Sequence, residues 1–123
     1  MEKNPVVSVV DDDASVRSAM SSLLRSQGWE TRLYASAEAF LDSGRVDVVC
    51  VISDVDMPGM NGLEMQQRLL QDGHALPMIF ITAFASPAVR AQALDSGALC
   101  FLIKPADSST ILQCLQKLLP EAG

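Results

Sequence analysis

The chain has 123 residues, a composition that is 49% hydrophobic and 20% charged, and a formal net charge of −6. These figures fit one folded domain with an ample core and carry no compositional sign of disorder. The acidic balance argues against direct nucleic-acid binding by this domain, since that affinity comes mainly from Lys and Arg on phosphates, and no apolar run nears the roughly 18–20 residues of a membrane span.

The start, Met1-Glu2-Lys3-Asn4-Pro5, is polar and does not resemble a signal peptide, so neither an export leader nor a membrane partner is expected. Val6-Val7-Ser8-Val9-Val10 reads as a first strand and runs straight into Asp11-Asp12-Asp13. From Ala14 to Gln27, Val16, Met20, Leu23 and Leu24 recur at helical spacing until Gly28 stops the pattern. Trp29 to Tyr34 alternates loosely as a second strand, and Ser36 to Ser43 is a short helix opened by a serine. Val48 to Ser53 is a third strand that opens with five apolar residues in a row, the mark of a strand buried on both faces of a parallel sheet, and it runs into Asp54. Met57-Pro58-Gly59 and Asn61-Gly62 signal a turn before a helix over Gly62 to Asp72. Pro77 to Thr82 is a fourth strand, followed by an Ala-rich helix from Pro87 to Ser96 with Pro at its start and Gly97 after its end. Leu99 to Ile103 is a fifth strand. Ser108 to Leu119 is a last helix with Ile111, Leu112, Leu115, Leu118 and Leu119 on one face.

Strands that alternate with helices through short connections predict an α/β domain: a parallel sheet with helices on both faces and right-handed crossovers. In such sheets ligands bind at the carboxyl edge. Four strands end there in polar residues: Asp11 and Asp12 after the first, Asp54 after the third, Thr82 closing the fourth and Lys104 after the fifth. Each alone is ordinary, an acid at a turn or a solvated lysine. Together the acids make an oxygen-only set that repels itself unless a cation joins it, and Mg²⁺ suits such a set. One job uses every part. Asp54 is a carboxylate nucleophile for a phosphoryl group, the metal neutralises charge, and Lys104 and Thr82 take the remaining oxygens.

The three cysteines, Cys50, Cys100 and Cys114, show no Cys-x-x-Cys spacing and are read as buried small hydrophobes in a reducing cytosol. Asp13 is read as a helix N-cap, His74 as a solvated loop residue and Trp29 as packing. Met57 and Met60 are expected to cover the active loop. The helix from Pro87 to Ser96 has few large apolar residues, so soft packing is expected there.

Several stretches, in this order, resemble the receiver domains of two-component response regulators. They are Val9-Val10-Asp11-Asp12 with Arg17, then Asp54-Val55-Asp56-Met57-Pro58-Gly59-Met60-Asn61-Gly62, then Ile81-Thr82-Ala83, then Lys104-Pro105. The resemblance covers roughly residues 5–120. Ser36-Ala37-Glu38-Ala39-Phe40-Leu41 and the triple aspartate are most similar to the FixJ-type subfamily. The resemblance implies a flavodoxin/CheY-like (βα)5 doubly wound sheet of strand order 2-1-3-4-5. It implies a cytoplasmic phosphoacceptor whose Asp54 receives phosphate from a sensor histidine kinase and switches an output, in the FixJ type transcription. It also implies Mg²⁺ on Asp12 and Asp54 directly, on Asp11 through water and on the backbone carbonyl of Asp56. Thr82 and Phe101 would move on phosphorylation, and the Lys104-Pro105 bond would be cis.

By the same resemblance residues 1–123 are expected to be a single receiver domain cut ahead of a C-terminal DNA-binding effector domain, with a stand-alone receiver acting through protein contacts as the alternative. Phosphorylation-dependent homodimerisation is a further implication. Asp56, where the subfamily often has a basic residue, Phe84, and Ala106, where many relatives carry Phe, depart from the pattern and bear on phosphate lifetime and on the output surface. The rival from another class is a haloacid-dehalogenase-like phosphatase using Asp54-Val55-Asp56, although that motif normally follows a first strand.

Overall fold

The computed structural model describes residues 5–84 and 86–118. The start Met1-Glu2-Lys3-Asn4 and the expected helix end at Leu119 lie outside the described residues. Five strand–helix pairs follow one another: β1 Val6–Val10, α1 Ala14–Ser26, β2 Glu30–Tyr34, α2 Ala37–Ser43, β3 Cys50–Ser53, α3 Gly62–Gln71, β4 Met78–Thr82, α4 Pro87–Asp95, β5 Cys100–Ile103 and α5 Ser108–Gln116. The sheet runs β2-β1-β3-β4-β5 and every pairing is parallel.

Strand chemistry sorts the positions. β3 and β4 are central and buried throughout, as their unbroken apolar runs require. β2, with Glu30, Thr31 and Arg32, lies at one edge. β5 is the other edge, and its Ile103 is exposed. Alternation then divides the core into two layers. Val7, Val9, Cys50, Ile52, Ile79 and Ile81 meet α1 and α5 through Leu24, Ile111 and Leu115. Val10, Val51, Met78 and Phe80 meet α2, α3 and α4 through Phe40, Leu63, Leu69 and Ala93. Phe40 and Phe80 are almost completely buried, each worth roughly 1.5–3 kcal/mol relative to an exposed ring.

Four of the five helices, α1 to α4, start at a side-chain cap. Asp13 accepts from the Ser15 and Val16 amides, Ser36 from Ala39, and Ser86 from Val89 ahead of Pro87. Asn61, read from sequence only as a turn residue, forms a capping box with Glu64. α4 buries only Ala93, which agrees with the soft packing expected there. Trp29 packs in the α1/α5 layer, and His74 is an exposed loop residue.

Two expectations change. Cys100 and Cys114 are not independent hydrophobes: they are joined as a disulfide from β5 to α5, with Cα atoms 6.4 Å apart. Only Cys50 is free, buried on β3, and burial pushes its thiol up to about 12. Met57 is a core residue packed with α3 and not a cover over the loop, while Met60 is half-buried at the margin of that cluster.

Candidate functional site

Parallel pairing brings the strand ends to one edge. Val10 lies beside Ser53, and Thr82 beside Ile103, so the residues that follow each strand emerge together. The Asp54 amide donates to the Val10 carbonyl at 3.0 Å, and the Lys104 amide to the Thr82 carbonyl at 2.8 Å. These backbone bonds carry the ladder one residue past β3 and β5, to Asp54 and Lys104 themselves.

Lys104 is the centre of the arrangement. Its ammonium donates to Asp54 Oδ2 at 2.9 Å and to Asp11 Oδ2 at 3.1 Å. Both carboxylates are buried, Asp11 at 3% and Asp54 at 8% exposure. Partial burial works against the Lys104 charge, but the hydrogen bonds to Asp54 and Asp11, with the charges behind them, outweigh it and raise the ammonium above its usual pKa. The other oxygens are held by backbone: Asp11 Oδ1 accepts from the Asp13 amide at 2.9 Å, and Asp54 Oδ1 from the Asp56 amide at 3.1 Å.

Asp12 is exposed, and its carboxylate joins those of Asp11 and Asp54 in a group in which one oxygen from each lies within 4.8 Å of the others. Three carboxylates face one ammonium there, so the cluster is short of positive charge. It consists of hard oxygen donors with an open side at Asp12, which suits a divalent cation of the Mg²⁺ kind. The Asp56 side chain stays out of this cluster. Its Oδ2 accepts instead from the Thr82 hydroxyl at 3.3 Å. Thr82 is fully buried, and its Oγ1 also accepts from the Phe84 amide at 3.3 Å. The Phe84 ring itself is 80% exposed. Phe101 is half-buried, its ring 6.4 Å from that of Phe80. The Lys104-Pro105 bond is cis, as the resemblance implied.

Three supports were not found from sequence. Arg17, quoted there only as part of a motif, donates from its guanidinium to the Asp11 carbonyl at 2.7 Å and ties α1 to the acid loop. Glu38 on α2 accepts from the Met60 amide at 3.0 Å, which holds the turn after Asp56 and keeps the Glu38 carboxyl below its usual pKa. Gly59 takes a positive φ of 77° at that turn. Gly62 opens α3 directly against Asp54. A Cβ there would run into the Asp54 carbonyl oxygen and the Phe80 ring. The Ser36–Leu41 run was the available signal for Glu38; its partner, 22 residues away, was not visible in it.

Comparison with known proteins agrees with this fold. The response regulator receiver domain pattern matches residues 7–116. The chain is 37% identical to the response regulator protein TmoT of Ectopseudomonas mendocina over 98% of its own length and 56% of TmoT. It is 36% identical to the transcriptional regulatory protein FixJ of Azorhizobium caulinodans, over 94% of this chain and 56% of that one. The solved structure of the response regulator StyR superposes with a TM-score of 0.87 at 37% identity, covering 95% of this chain and 60% of StyR. The chain thus spans a little over half the length of the relatives it matches.

Proposed function

The chain belongs to the response regulator receiver domain family, and from that premise we propose that Asp54 is its phosphoacceptor. The observation that carries the reading is the Lys104 ammonium, bonded at once to Asp54 and Asp11 inside a cluster of three carboxylates. The donor is a sensor histidine kinase. An Asp54 carboxylate oxygen forms the new bond to phosphorus, and the donor departs with the electron pair of the bond that breaks.

Each neighbour has a task. Asp11, Asp12 and Asp54, with the backbone carbonyl of Asp56, would hold Mg²⁺. When bound, Mg²⁺ neutralises negative charge on the phosphoryl oxygens. Lys104 already contacts the nucleophile and passes to a phosphoryl oxygen once the Asp54 charge is used in bonding. Thr82 gives up Asp56 and donates its hydroxyl to the phosphoryl group. Asp54 and Thr82 are thereby drawn together, and the state in which they are so drawn gains by the differential contacts the phosphate makes. Phe101 and softly packed α4 lie along the path by which this reaches the β5 side of the sheet.

A receiver of this kind acts on itself. Its chemistry is its own phosphorylation and dephosphorylation, not turnover of a separate substrate. The phosphatase alternative is not favoured, because Asp54 follows the third strand and not the first, and the receiver pattern spans residues 7–116. The length of the relatives supports a regulator in which this domain precedes an effector, with transcription as the output and the cytoplasm as its place. DNA contact then belongs to the effector and not to this acidic domain, and phosphorylation-dependent pairing of two copies is part of the same reading. The test is intact-mass measurement after incubation with acetyl phosphate and Mg²⁺. The chain gains one phosphoryl group and Asp54→Asn gains none. No gain in the unaltered chain, or a gain that survives the substitution, rejects the reading.

A further inference from the structure

The disulfide between Cys100 and Cys114 lies outside the phosphoryl chemistry and has features a passive crosslink does not need. Lys117 donates from its ammonium to Cys100 Sγ at 3.6 Å. A cation beside a cysteine favours the thiolate and so makes that sulfur a nucleophile when reduced. Cys100 begins the edge strand β5 at 9% exposure. Cys114 is in the last turn of α5, so opening one helical turn gives a reagent access to both sulfurs. Cys50 is the contrast: fully buried on a central strand, with its thiol pushed up to about 12, it is inert. In a reducing compartment such a pair cycles and does not persist as a permanent staple.

We propose that Cys100 and Cys114 are a reversible dithiol–disulfide couple, a redox modification site that fastens α5 to β5. The oxidant is a low-molecular-weight disulfide. The Cys100 thiolate attacks one of its sulfurs, forming a mixed disulfide and releasing one small thiolate. The Cys114 thiol passes its proton to a released thiolate, and its sulfur then attacks Cys100 Sγ and expels the second. Two protein thiols become one disulfide, and one small disulfide becomes two small thiols. The crosslink closes residues 100–114, a segment that contains Phe101, Lys104 and the start of α5. Oxidation therefore restrains the segment that carries the proposed switch residue and the site lysine. The dithiol leaves it free to rearrange. The couple itself does not depend on phosphorylation of Asp54.

The experiment equilibrates the full chain with mixtures of reduced and oxidised glutathione, quenches in acid, denatures, alkylates and reads the intact mass. The expected result is one transition between a form alkylated three times and a form alkylated once, at Cys50. Cys50→Ala keeps the two-thiol transition, and Cys100→Ser and Cys114→Ser each abolish it. Three free thiols at every ratio, or glutathione adducts as the only product, overturn the couple. Iodoacetamide labelling of the reduced chain checks the activation of Cys100. Lys117→Gln slows it by at least about threefold while Lys117→Arg restores it, and equal rates overturn the role of Lys117. Hydrogen exchange across Ser108–Gln116 is slower in the oxidised form, and equal exchange overturns the restraint.

Discussion

Lys104→Met removes the charge at the centre of the site and keeps most of the apolar stem. At about 3 Å and an effective dielectric near 20, each ammonium–carboxylate contact is worth roughly 5 kcal/mol of attraction. The carboxylates left behind, within 4.8 Å of one another, repel by about 3–4 kcal/mol on the same scale. Solvation of all the charges in the unfolded chain offsets part of this, and removing one partner of a buried pair costs about 3–5 kcal/mol. The Lys104 side chain is 24% exposed, which screens it modestly. A loss of about 3 kcal/mol is therefore expected, read by urea unfolding in chelator at neutral pH, with the denaturant slope unchanged.

The pH dependence has a definite sign. The folded pKa of Lys104 is raised above 10.5, so its contribution is complete below the unfolded value and is lost as pH rises through the folded one. The gap between wild type and variant is flat from neutral pH to about 10 and shrinks above that. Mg²⁺ narrows it at neutral pH, because a ligand of the native state stabilises the charge-deficient variant more. A loss under about 1 kcal/mol, or a gap that widens with alkali, refutes the reasoning.

Three further predictions bear on the supports of the site. Asp12→Ala weakens Mg²⁺ binding by at least about tenfold in isothermal titration, since it deletes the most exposed ligand of the cluster, and unchanged affinity rejects the metal assignment. Gly62→Ala lowers stability by about 1–3 kcal/mol and slows phosphorylation by acetyl phosphate, because its Cβ must displace the Asp54 carbonyl or the Phe80 ring; wild-type stability and rate contradict that packing. The Met60 amide shift, followed by NMR, titrates with Glu38 at a midpoint below 4.5 and stops doing so in Glu38→Gln. The stabilisation from that bond is complete above the unfolded pKa and is lost as pH falls through the folded one, and a midpoint at or above 4.5 contradicts it.

The site was legible because parallel sheets place strand ends together. Apolar runs that stop at Asp11, Asp54, Thr82 and Lys104 mark the carboxyl edge in the sequence itself. Strand starts were less exact. Val48 and Val49 read as strand, but β3 begins at Cys50, with the Val49 amide bonded to the Val6 carbonyl just ahead of it, since apolar character alone does not mark the first paired residue. What could not be read depends on contacts distant in sequence. Glu38 and Met60 are joined across 22 positions, and nothing in either stretch names the other. Cys100 and Cys114 are separated by a whole strand-to-helix crossover, so a search for close cysteine spacing passes over them. Asn61 looked like a turn because its capping partner Glu64 was taken only as part of the next helix.

The central claim is that Asp54 becomes an acyl phosphate, and borohydride trapping tests it most directly. Reduction of an aspartyl phosphate leaves homoserine in place of the aspartate, which peptide mapping then locates. After treatment with acetyl phosphate and Mg²⁺, the account predicts homoserine at position 54 and at no other acid. Homoserine at Asp11, Asp12 or Asp56, or a phosphoryl group that resists borohydride, would contradict it.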